Sequence, residues 1–259
     1  MVDIARLGIE IDTRKLKAGE KDLASFSSTA QKTDKIAGAA TKTIAAMTAA
    51  FGVSQIIKAA DAYSMMNARV SRFTDSADSA TAVMRQLTNY ANQAGAEVGS
   101  AVAVFTSLSG ALQDIGTSQT DILRLTETLN KLGVIGGSSA DEVSNALRQF
   151  AQSMAGGIVR AEEFNSIIEN TPEIARAIGT GMGLSMGQLR TAMLNGQLTS
   201  EAVLKSLLSQ TQTVDAQFAK MPRTVSAAMA TMENEFDGLI GVLNNSTGAT
   251  SSLSGGIDA

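Results

Sequence analysis

A chain of 259 residues with no histidine and no cysteine has no imidazole general base, no thiol nucleophile, no disulfide frame and no metal centre built on those ligands. Charged residues make up only 18%, against a usual ~25% in globular proteins, so the surface must be largely Ser, Thr, Asn, Gln and Ala, as inside an assembly. The net charge of −4 argues against a surface that tracks nucleic-acid phosphates, and Met1–Arg6 lacks the basic and apolar regions of a secretory signal.

The first element reads as a strand. Ile4, Leu7, Ile9 and Ile11 stand among Arg6, Glu10 and Asp12 at a period near two, which predicts a short N-terminal β-strand over 4–12. A lone strand has to pair with a partner strand or with another chain. From Thr13 the pattern turns polar and helical through Leu16, Leu23 and Phe26, with too few apolar positions to pin it down, and predicts an exposed arm. Ile36 to Ile57 carries Lys42 as its only charge, and a bilayer span needs ~20 such residues. Thr41, Thr43, Thr48, Ser54 and Gln55 dilute it, so a helix covered by protein is expected there rather than a membrane span.

After Asp34 everything reads as helix. Val53, Ile56, Ala60, Tyr63, Asn67 and Val70 form one stripe; Ala80, Val83, Leu87, Tyr90 and Ala94 the next; Val98, Ala101, Val102, Phe105, Leu108 and Leu112 a third. Each recurs at helical steps, which marks a helix with one buried face. Ile122, Leu125, Leu129 and Leu132 follow behind a capping pair, Ser118 with Asp121. Val143, Ala146, Leu147, Phe150 and Met154 follow behind another, Ser139 with Glu142. Breakers lie at Gly133–Ser139 and Ala155–Gly157. Shorter helices come next, the first carrying Ala161, Phe164, Ile167 and Ile168. Thr171-Pro172-Glu173 predicts an N-cap, a proline at the first helical position and an acid at the positive helix end. That helix is expected to end at Gly179, Gly181 and Gly183, and Ser185 with Gln188 to cap the next, which stops at Asn195-Gly196. Thr199 opens a helix expected to run through Val203, Leu207, Val214 and Phe218. Pro222 is expected to open the last.

In that last helix Val225, Met229, Met232, Phe236, Leu239 and Leu243 recur at steps of 4, 3, 4, 3 and 4, a 3.5-residue period that suits helices wrapping round one another. Packing of the same helix on its own domain stays open. The expected fold class is therefore mainly α, a multi-helix bundle of short amphipathic helices with one N-terminal strand. The expected division is an N-terminal strand, arm and apolar helix over 1–59, a helical domain over 60–220, the start of a rod-like helix over 221–245 and a disordered tail over 246–259.

No catalytic, cofactor-binding or metal residue emerges. Gly179-Thr180-Gly181-Met182-Gly183 brings its third glycine one residue too early for GxGxxG and follows no strand, so a helix C-terminus is the better reading. Glu162, Glu163 and Glu169, with Asp141 and Glu142 upstream, are the remaining acid–base candidates. A glycosidase needs two carboxylates at set separation and usually aromatic platforms; this chain has no Trp and two Tyr. Ile174–Asn195 has helix-turn-helix spacing, but its second helix offers only Arg190 to DNA.

The segment Ala146–Leu207 carries a resemblance. Gly156-Gly157, then Arg160-Ala161-Glu162-Glu163-Phe164 with Ile167, then Thr171-Pro172, then Gly183-Leu184-Ser185, then Gly196-Gln197-Leu198-Thr199 with Glu201, is similar to the N-terminal domain of tailed-bacteriophage tape measure proteins. The helices from about Ala60, and the N-terminal strand with its polar helix, resemble the same proteins more loosely. The resemblance implies a non-enzymatic structural protein of the virion tail, or of a prophage, made in the host bacterial cytoplasm. It would act in tail assembly and tail-length determination, in several copies inside the tail tube, through self-association and binding to tail tube and assembly chaperone proteins. No cofactor, nucleic acid or membrane contact of these residues is implied. Such proteins are usually far longer, so the resemblance implies a truncated prophage copy, part of a split gene or an N-terminal fragment. Two other classes remain open: a muralytic glycoside hydrolase module of a phage tail, and a membrane-inserting helical protein driven by Ile36–Ile57.

Overall fold

A computed structural model describes residues 53–247, apart from residues 139 and 160. The expected strand over 4–12, the polar arm, most of Ile36–Ile57 and the tail beyond Thr247 lie outside the described residues. Within them the chain forms α1 (Val53–Ser71), α2 (Ala77–Ala94), α3 (Val98–Leu112), a 3-10 turn (Gln113–Ile115), α4 (Gln119–Ile135) and α5 (Ala140–Ala155). It continues with α6 (Ala161–Asn170), α7 (Pro172–Met182), α8 (Met186–Leu194), α9 (Ser200–Ser209), α10 (Thr211–Phe218) and α11 (Val225–Thr247). The only β pairing among the described residues is an isolated antiparallel bridge between Ile158 and Thr199.

Most helix starts follow from local chemistry. Ser76 accepts from the Ser79 amide at the head of α2, and Ser118 from the Asp121 amide at the head of α4 (both 3.1 Å). Ser185 and Gln188 close a full capping box at the head of α8. Thr199 accepts from the Ala202 amide at the head of α9. Each bond satisfies a donor that the first helical turn leaves without an intrahelical partner. Thr171 stands at the expected cap of α7, with Pro172 at the first helical position, but its buried hydroxyl donates backward to Ile167 O at 3.2 Å. The capping role of Ser139 falls outside the described residues.

Two compact units divide the chain: Ala60–Asn234, and Met1–Ala59 with Glu235–Ala259. In the first, α4 packs against α2, α3, α5, α7, α9 and α10, and α3 packs against α2, α4 and α5. One apolar core runs through it, with Phe105, Leu108, Leu125, Leu129, Leu147, Phe150, Phe164 and Ile178 fully buried. The stripes read from the sequence for α2, α4 and α5 lie in this core; Tyr90 and Ala94 lie at its margin. On α3 burial goes further than one stripe, since Val104, Ser109 and Ala111 are buried too. Val98 to Leu112 holds no charged residue, and an apolar helix without a polar face ends up surrounded. Of the second unit, residues 53–59 and 235–247 are described; Ile56, Ala59, Leu239, Ile240 and Leu243 are buried there.

Three helix boundaries differ from the sequence reading. The helix opened by Thr199 breaks at Gln210, where the Thr211 hydroxyl donates to Leu208 O at 2.9 Å and lies 3.3 Å from the Thr128 hydroxyl on α4. Tertiary contact thus overrides a continuous helical pattern. The last helix starts at Val225, three residues beyond Pro222, because Thr224 caps it by accepting from the Ala227 amide at 3.0 Å. It ends at Thr247 and so takes in Ser246 and Thr247 of the expected tail.

Candidate functional site

The segment Ala146–Leu207 is held by backbone and hydroxyl contacts between its two loops. The Val159 amide donates to Leu198 O at 2.8 Å and the Ser200 amide to Gly157 O at 3.0 Å, while the Ser200 hydroxyl donates to Met154 O at 2.6 Å. These bonds tie the exit of α5 to the entry of α9. Between them Phe164 and Ile167 of α6, Ile174 and Ile178 of α7, Leu189 of α8 and Val203 and Leu207 of α9 fill the core. The side chains of Asp141, Glu162 and Glu163 lie outside the described part; Glu142 and Glu169 are exposed.

Gly179-Thr180-Gly181-Met182-Gly183 is a helix contact. As read from the sequence, the stretch is a helix C-terminus: Gly179 and Gly181 lie in the last turn of α7 and Gly183 terminates it, with φ +68° and its amide donating to Gly179 O and Thr180 O. A Cβ on Gly181 would stand 2.5 Å from Ser206 O. Glycine here lets α7 approach α9 closely enough for the Ser206 hydroxyl to donate to Ile178 O at 2.8 Å. The helix end was legible in the sequence, but the α9 neighbour that Gly181 admits was not, because nothing local reports it. Arg190, the base-reading candidate, is exposed on α8.

Two polar clusters escaped the sequence reading. On α4, Lys131 is only 7% exposed; its Nζ donates to Glu127 one turn back at 2.5 Å and to Asp215 on α10 at 2.6 Å. It also lies 5.7 Å from the Phe218 ring centroid, within cation–π reach. Burial lowers the Lys131 pKa, but hydrogen bonds to Asp215 and Glu127 and the charges of both outweigh it, so the ammonium is held above the ordinary lysine value. The second cluster joins the first turns of α11 to the α2–α3 corner. Asn234, 4% exposed, accepts from the Val98 amide at 2.9 Å and donates to Ala96 O at 2.8 Å and to Asn92 Oδ1 at 2.9 Å. Glu97, at the cap position of α3, makes no side-chain cap bond, so Asn234 caps that helix from 136 residues away. Arg223 donates to the Thr231 hydroxyl, which in turn faces Asn92 O at 3.3 Å. Gly95 ends α2 at φ +66°, and Ala227 lies against it so closely that a Cβ there would overlap it.

Among the described residues, no cluster of three or more Asp or Glu side chains could hold a metal ion, and no helix is long and apolar enough to cross a membrane. The described helices are joined by apolar packing, caps and polar locks.

No curated protein and no solved structure matches the chain. A family comparison does: the tape measure protein family matches residues 54–245, which takes in all of α2 to α10 and almost all of α1 and α11. The match includes the Ala146–Leu207 segment on which the resemblance was first read, and it covers well over half of the 259 residues, so the chain belongs to the tape measure protein family, with a structural role in the phage tail.

Proposed function

We propose that this chain works in tail assembly and tail-length determination, without catalysing a reaction. The observation that carries the reading is α11. Its first turns are fixed by Asn234 and Thr231, yet Val225 and Met229 of its 3.5-residue seam are 52% and 56% exposed. Leu239 and Leu243 further along the seam are buried, so its open part is the first two turns, and an exposed apolar stretch of that kind is suited to meet another helix. On this reading residues 60–220 form the folded domain, 221–245 begin a rod, 1–59 supply the strand, arm and apolar helix, and 246–259 are a tail. Partners would be further copies of the chain, tail tube subunits and assembly chaperones. Synthesis would be in the host bacterial cytoplasm, with the product ending in the virion tail.

Disruption of the gene in its phage or prophage, followed by electron microscopy of induced particles, tests the reading. Tails that are absent or irregular in length are expected. Tails of normal number and uniform length would overturn it. Purified chain incubated with peptidoglycan should release no soluble sugar; release that scales with protein would overturn the non-catalytic part.

A further inference from the structure

α10 is shallowly seated. Val214 is its one buried residue, whereas the neighbouring α9 buries Ser200, Val203, Leu204, Ser206 and Leu207. What holds α10 to α4 is largely polar. The Thr211 and Thr128 hydroxyls lie 3.3 Å apart, Lys131 Nζ donates to the Asp215 carboxylate at 2.6 Å, and the Phe218 ring centroid lies 5.7 Å from the same Nζ. The Asp215 side chain is 48% exposed, so water and salt reach this pair. The elements on either side of α10 are fixed without it. Val203 and Leu207 seat α9 in the core, and Asn234 bonds α11 to Val98, Ala96 and Asn92. Residues 219–224, between α10 and α11, are exposed or half-buried.

The α4 face that meets α10 is chemically able to face water. Lys131 has a second partner, Glu127 one turn back at 2.5 Å, so departure of Asp215 leaves the ammonium paired. Thr128 carries a hydroxyl, which water can satisfy. Lifting α10 therefore strands no charge and bares one buried apolar side chain of that helix, Val214. A segment with few buried apolar contacts, held between two well-fixed elements, opens at a lower free energy than the whole domain. We propose that α10 is a detachable strap, which lifts from α4 as a unit with the Lys131–Asp215 pair as its latch, while α4, α9 and the start of α11 stay folded. The open state presents Thr128 and the Lys131–Glu127 pair to solvent. Salt screens the latch and so favours that state. Ionic strength thereby sets the fraction of molecules that expose this polar face of α4. The inference stands independently of the tail-length reading.

Hydrogen exchange of the full chain reads the opening at both ends of α10. The Val214 amide donates to Gln210 O and the Ala219 amide to Asp215 O, each at 2.9 Å. Their protection factors should agree within about threefold and lie at least about tenfold below those of Leu129 on α4 and Leu207 on α9. Asp215→Asn should lower both about tenfold, the scale of one hydrogen bond between charged groups, and leave Leu129 and Leu207 unchanged. Raising NaCl from about 0.05 M to about 0.5 M should lower both severalfold in the parent and much less in Asp215→Asn. Thiol labelling reads the other side of the opening, and the chain has no cysteine of its own to interfere. Thr128→Cys should react with a maleimide at least about tenfold faster than Ala175→Cys, which is fully buried in α7. Four outcomes would overturn the inference: Val214 and Ala219 protected as strongly as Leu129, which ties α10 to global unfolding; protection that differs between them by more than about threefold, which is fraying from one end; protection unmoved by Asp215→Asn; or a Thr128→Cys thiol that reacts no faster than that of Ala175→Cys.

Discussion

Phe164 is fully buried at the meeting of α5, α6 and α7, and truncation there leaves a cavity that helices fixed on several sides cannot collapse. Phe164→Ala is expected to lower unfolding free energy by ~3–5 kcal/mol in urea melts, with the m-value unchanged. Lys131 makes a different prediction. A lysine whose folded pKa is raised contributes stability that is fully present below its unfolded value, near 10.5, and is lost as pH rises through the folded value. Tyr63, raised by burial, and Tyr90, raised first by burial and then by the Glu127 charge, act in the same sense, because the unfolded phenol gives up its proton first. Urea midpoints should therefore fall steeply above about pH 10. In Lys131→Met the lysine part of that slope should be gone. An equal slope in the variant would mean that Lys131 titrates alike in both states.

At the level of elements, legibility in the sequence followed the range of the interaction. Ser118, Ser185 and Thr199 were readable because cap and capped amide lie three residues apart. The stripes of α2, α4 and α5 were readable because burial of one face repeats along the helix. The start of α11 was misplaced because Pro222 and Thr224 are both acceptable openers, and the cap that forms is the one from Thr224 to the Ala227 amide. The break at Gln210, the Lys131 cluster, the Gly181 approach and the Asn234 cap were not readable, since each partner is separated by tens of residues or more. Asn234 tests the longest of these interactions. Asn234→Ala leaves the Val98 amide and Ala96 O without that partner, and each buried orphan costs about 1–3 kcal/mol. Hydrogen exchange at the Val98 amide should accelerate at least about tenfold, while amides near Ser200 change little. Equal protection at Val98 in the variant would show that α3 does not depend on this cap.

For the whole molecule, family membership gives a structural protein of the phage tail, and assembly through the α11 seam is a proposal that a peptide can test. If Val225, Met229, Met232, Phe236, Leu239 and Leu243 form an inter-chain seam, a peptide of residues 219–245 should be weakly helical when dilute and gain helix with concentration. Circular dichroism with sedimentation equilibrium reads both. A peptide that stays coil and monomeric at millimolar concentration would leave α11 as a part of its own fold.

Asn234 also fixes a phase. Each residue in an α-helix turns the chain by about 100° and advances it by about 1.5 Å. One residue inserted between Thr224 and Asn234 would swing the carboxamide away from Val98, Ala96 and Asn92 together. Residues added beyond Thr247 would leave it untouched. The start of α11 thus tolerates no slippage by even a single residue. An insertion near the start of α11 is therefore a far harsher change than a substitution on its exposed face, because it breaks three bonds with one step of rotation.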